Sequence, residues 1–145
     1  MKLRFLLLSG LLSLLWACRA ADQTPPADPL HEVFRKQAQE QGLSLMQTEG
    51  RRLFTHYCET CHGPAGHGDG QNAYNLQPSP PDFTVSLRTH PSLYWRRIIE
   101  GGGAAVGRSP LCPPWGHALR QHEVDALIDY LGVLARPATP DSSPR

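Results

Sequence analysis

The sequence predicts an all-α fold of three to five short helices joined by long loops rich in glycine and proline. Three observations carry this expectation. In "QHEVDALIDYLGVLA", residues Val124, Leu127, Ile128, Leu131, Leu134 and Ala135 follow the i, i+3, i+4, i+7 spacing of one buried helical face, with Gly132 on the other side. The stretch "GPAGHGDGQNAYNLQPSPPDFT" is dense enough in glycine and proline to read as irregular loop. No run alternates apolar and polar residues as a half-buried strand would. The inventory also leaves a shortage. A few short helices bury too little apolar surface for a domain this small, so something large and apolar must complete the core.

The elements follow in order. In "MKLRFLLLSGLLSLLWAC", Lys2 and Arg4 precede an apolar run from Phe5 to Trp16. That run is too short to cross a bilayer as a lone helix and suits the apolar region of a secretory signal over residues 1–17; a retained membrane anchor is the alternative. "LWAC" resembles the lipobox of bacterial lipoproteins, with aliphatic Leu15, small Ala17 and then Cys18, although Trp16 departs from the pattern. The resemblance implies lipid on Cys18 as the first mature residue and attachment to a membrane facing the periplasm. Ordinary cleavage a few residues later would instead release a soluble periplasmic protein. Residues 18–29 form a polar, proline-rich tether. In the helical extension of residues 30–47, Leu30, Val33, Phe34 and Ala38 share a face expected to pack on the main domain. Pro29 suits the first turn of that helix and Gly42 its stop.

The main domain is expected over residues 48–136. Leu53, Phe54 and Tyr57 share a helical face in "TEGRRLFTHYCETC", and "PSLYWRRIIEGG" reads as a helix with Pro91 in its first turn. The tail, residues 137–145, has the composition of a disordered segment. The chain carries 14 Lys and Arg against 13 Asp and Glu, and loss of Lys2 and Arg4 with the signal leaves it near neutral. That balance argues against a nucleic-acid partner. Lys36 is then the only lysine, so a lysine ring for docking on an acidic partner is absent, though arginines remain.

"CETCH", Cys58 to His62, fits C-x-x-C-H, the attachment sequence for c-type haem. Two thiols on one helical turn add to the two vinyl groups, and the next histidine lies beneath the iron. A redox dithiol or half of a zinc site would share the C-x-x-C spacing, but Cys112 with His117 is a poor second pair for zinc.

Together with "GRRLF", "GPAGHGDG", "LQPSPPDFT", "IIEGGGAAVGRSP", "PPWG" and "EVDALIDYL" in this order, the motif makes residues 50–134 resemble a class I c-type cytochrome of the bacterial monohaem kind. The resemblance implies a small helical domain around one covalent haem c, with Cys58 and Cys61 as attachment points and His62 as proximal iron ligand. It also implies that Gly50 and Phe54 pack near Tyr130, and that Pro78 or Pro80 offers a carbonyl to the other ring nitrogen of His62. Trp115 either reaches a haem propionate or is plain core. One departure concerns the last helix. The family often begins it with a serine three residues before an acid, whereas Arg120 precedes Glu123 here and cannot cap, so that end is expected to be less well held.

The family usually places methionine, the sixth iron ligand, at the fourth position of "SPLCPPWG"; this chain has Cys112 there. Beyond the signal its only methionine is Met46, upstream of the attachment motif. Three readings compete. Cys112 binds iron as thiolate, favouring Fe(III) and lowering the potential; or it is a small packing residue and His117, His67, His90 or nothing binds; or it is a thiol reactive towards a substrate or partner. The functional expectation is an exported carrier of single electrons between redox partner proteins, with no catalytic residue assigned. The alternative is a His/Cys-ligated haem enzyme or sensor handling sulfur compounds or small gases, and a third reading is an assembly subunit whose haem is mainly structural.

Overall fold

A computed structural model describes residues 28–136 of the chain. The signal, most of the tether with Cys18, and the tail of residues 137–145 lie outside the described residues. Those described are all-helical, with six α-helices, two of them four-residue turns, two short 3-10 turns and no strand. The all-α expectation holds.

The described residues divide into two units between Val33 and Phe34. Helix α1, Pro29–Glu40, begins in the first and ends in the second. Its expected apolar face is mostly exposed, at Leu30, Val33 and Phe34, and Ala38 alone of the four is buried. Helix α2, Leu45–Tyr57, starts earlier than its apolar spacing suggested because Ser44 and Gln47 form a capping box. The Ser44 hydroxyl accepts from the Gln47 N–H at 3.0 Å, and the Gln47 side chain accepts from the Ser44 N–H at 3.1 Å.

Helix α2 crosses the last helix, α6 (Gln121–Leu134), at Gly50. A Cβ there would lie 2.0 Å from the Ala126 carbonyl oxygen and 2.7 Å from the Tyr130 Cβ, so only glycine lets the two backbones approach this closely. Phe54 and Tyr130 pack beside the crossing with ring centroids 5.5 Å apart. Val124, Leu127 and Leu131 are buried along the α6 face that the spacing marked, Ile128 and Leu134 are partly buried, and Gly132 meets open space.

The start of α6 is better held than expected. Arg120 offers no acceptor, but Glu123 supplies the other half of a capping box, accepting the Arg120 N–H at 2.8 Å and pairing with its guanidinium at 3.3 Å. Between the long helices lie α3 (Glu59–His62), α4 (Phe83–Ser86) and α5 (Ser92–Gly101). Helix α4 interrupts the stretch read as loop. Asp82 starts it, its carboxylate accepting from the Thr84 N–H at 2.8 Å and the Thr84 hydroxyl at 2.7 Å. Arg96 joins α5 to α6 through an ion pair with Asp125.

Candidate haem site

Helix α2 ends at Cys58, whose N–H donates to the Phe54 carbonyl at 2.8 Å, and the chain resumes as the single turn α3. The last carbonyls of so short a turn have no intrahelical partner. The following loop folds back to supply them: Asn72 N–H donates to Thr60, Gly70 N–H to Cys61 and Gly68 N–H to His62, at 2.9, 3.2 and 2.8 Å. The turn bearing Cys58, Cys61 and His62 is thus gripped by backbone that the glycines allow to approach. Helix α4 then lays the Phe83 ring on the imidazole of His62, 4.3 Å between centroids and 18° from parallel.

A second loop, residues 107–119, carries Cys112. It closes the end of α5: Trp115 N–H donates to the Ile99 carbonyl at 2.8 Å and Gly116 N–H to Glu100 at 3.1 Å. The Cys112 carbonyl accepts from the Gly103 N–H at 2.9 Å, which pins this residue to the turn after α5. Trp115 packs on Tyr57, with centroids 4.9 Å apart.

Both loops border one cavity of about 340 Å³. Cys58, Cys61, His62 and Cys112 all line it. His90 and Trp115 line it too, whereas His117 and His67 stand exposed and do not. Burial pushes the His62 imidazole down to about 4, outweighing the Pro81 carbonyl, which acts the other way. At neutral pH the ring is therefore uncharged and keeps a lone pair for a metal. The Pro81 carbonyl faces the ring without closing a full hydrogen bond, and Nδ1 is left buried and unpartnered. The hydrogen bond that the resemblance implied from the ring to Pro78 or Pro80 is not made. Burial pushes the Cys58 thiol up to about 12, with smaller contributions from Cys112 and Cys61. Burial also raises the Cys112 thiol, with the Gly103 amide opposing it.

These residues fit a haem. The cavity lies within the range of small-molecule sites, presents two thiols and a neutral imidazole from one turn, and holds a further sulfur from another loop. Among the described residues no group of three or more His, Cys, Asp or Glu is placed to hold a bare metal ion. Sequence reasoning missed two features: Phe83 against His62 and the buried indole of Trp95 beside it; His90, one of the candidate ligands, is on the cavity wall. A signal for the first was present in "DFT", an aspartate that caps through the threonine two residues on.

The helical crossing at Gly50, the gripped C-x-x-C-H turn and the shared cavity define a c-type cytochrome domain, which implies covalently bound haem c and a role in electron transfer. The family model for cytochrome c oxidase, cbb3-type, subunit III, matches residues 46–131, more than half of the chain, and the chain belongs to that family. Comparison with curated proteins returns no match. Among the described residues no helix is long and apolar enough to cross a membrane.

Proposed function

We propose that the chain is an exported monohaem cytochrome that passes single electrons between redox partner proteins, with residues 48–136 as its working domain. The observation that carries this reading is the convergence of Cys58, Cys61, His62 and Cys112 on one cavity. Haem c, when bound, supplies a reversible one-electron iron couple. The thiols of Cys58 and Cys61 would hold it covalently through its two vinyl groups, so that it could not escape a shallow domain. His62 presents its neutral imidazole as proximal ligand, with the ring angle held by Phe83. Cys112 would hold the iron as thiolate; it lines the cavity, as His90 also does and His117 does not. With the iron held by two side chains, the protein would exclude substrate from it, which suits a carrier.

Export and anchoring rest on the leader: Cys18 receives lipid and the tether of residues 18–29 lets the domain stand off the membrane. Absorption and EPR spectra of the ferric protein test the ligation. Low-spin iron with thiolate character is the expected result, and spectra unchanged in Cys112→Ala would show that this sulfur does not bind. Mass spectrometry of the mature protein tests the anchor, which a product beginning downstream of Cys18 would rule out.

A further inference from the structure

We propose that α1 is a membrane-contacting helix, which lays Leu30, Val33 and Phe34 on the phospholipid surface beside the lipid of Cys18. The inference rests on the anchoring reading above and adds a second contact to it. The three residues recur at helical spacing on one side of α1 and are 69%, 62% and 37% exposed. Glu32, Arg35 and Gln39 fall on the opposite side of the same helix, and Lys36 lies towards the border between the two. A helix of this kind lies in the plane of a membrane interface, with its apolar side among the acyl chains and its polar side in water. The stem of Lys36 is long enough to bring its ammonium to the headgroup phosphates.

The length of chain before α1 selects the membrane over other occupants. Ten residues, 19–28, separate Cys18 from Pro29. Fully extended they reach about 35 Å, so an acylated Cys18 keeps α1 close to the lipid surface at all times. A tether this short gives an effective concentration on the order of millimolar. A face of three side chains is too small to hold a free protein on a membrane, but under that tether a weak affinity suffices. A partner protein would have to find the same face by diffusion, in competition with a surface that is already there.

The test uses the mature, acylated holoprotein reconstituted into vesicles of phosphatidylethanolamine and phosphatidylglycerol, with the acyl chains on Cys18 verified by mass. A photoreactive side chain is placed on either side of α1, as Phe34→p-benzoylphenylalanine or Gln39→p-benzoylphenylalanine. Irradiation inserts it into a neighbouring C–H bond, and mass spectrometry identifies the neighbour. At least about fivefold more phospholipid adduct is expected at position 34 than at position 39, since only the apolar side reaches the acyl chains. Leu30→Ser with Val33→Ser should remove that excess while the haem spectrum stays unchanged, because neither residue lines the haem cavity. Equal adduct at the two positions, an excess that persists in the double variant, or crosslinks from position 34 to a second copy in place of lipid would overturn this inference alone. Mature protein without acyl chains on Cys18 would overturn the anchoring reading and this inference with it.

Discussion

The attachment turn and the Cys112 loop border the same cavity but are held in opposite ways. The turn is gripped along its length: three successive carbonyls, of Thr60, Cys61 and His62, each accept from the loop that follows. The Cys112 loop is gripped mainly through its backbone at α5, by Gly103, Trp115 and Gly116, and at its exit by the Glu123 cap. The first region therefore fixes side chains whose identity cannot change without losing the haem. The second fixes a backbone path that makes few demands on the side chain at position 112. A substitution at position 112 should therefore disturb the fold less than one in the attachment turn.

The largest effect expected from this contrast comes from Cys58→Ala with Cys61→Ala. Without thioether bonds the cavity loses the group that completes the core, and the double variant should be largely unfolded and free of covalent haem by circular dichroism and mass. A well-folded, haem-free product would contradict the division of labour. Next in size is Gly70→Ala. A Cβ at Gly70 would stand 2.4 Å from the Thr60 carbonyl oxygen and 2.6 Å from the Cys61 carbonyl carbon, both backbone atoms of the attachment turn. Neither can move cheaply, so a destabilisation of about 3 kcal/mol is expected from overpacking, read as a lowered urea midpoint with an unchanged slope.

The same contrast explains what could be read from the sequence. The attachment turn was legible because its chemistry needs fixed residue types at fixed spacing; the α2–α6 crossing was implied by the family resemblance, and the close approach at Gly50 gives its physical reason. The wall formed by α4 and α5 was not. Phe83 and Trp95 are ordinary apolar residues until the fold sets one on His62 and leaves the other's indole nitrogen unpaired. Several prolines in "LQPSPPDF" could offer a carbonyl to His62, and only the folded path turns that of Pro81 towards the ring, without closing a hydrogen bond. For α1, helical spacing announced an amphipathic helix, but periodicity says nothing of what covers its face, and Leu30 and Val33 stand exposed.

Cys112→Met comes third and tests the tolerance of the second region directly. The swap replaces an anionic donor by a thioether, and the backbone clamp at Gly103 does not involve the side chain of residue 112. The potential should rise by more than about 100 mV, which is about 2.3 kcal/mol for a one-electron couple, with little change in thermal midpoint. An unchanged potential in both Cys112→Met and Cys112→Ala would remove the sulfur from the iron.

The smallest effect is expected at the exit of that loop, where Glu123 holds Arg120. The Arg120 side chain, followed by its backbone N–H, pulls the Glu123 carboxyl from the ordinary 4.5 down to about 2. A carboxyl whose folded value is depressed stabilises the fold above its unfolded value and ceases to do so as pH falls through the folded one. Wild type should therefore resist urea slightly better than Glu123→Gln at neutral pH. The gap should close as pH drops from 4.5 towards 2, because protonation then removes the charge that the variant already lacks. Hydrogen exchange should locate the loss at the start of α6 and the end of the Cys112 loop, with the attachment turn unaffected, since its backbone partners lie within residues 54–72. Faster exchange at Gly68 and Gly70 in Glu123→Gln would mean that the two regions are coupled, and the contrast between them would fail.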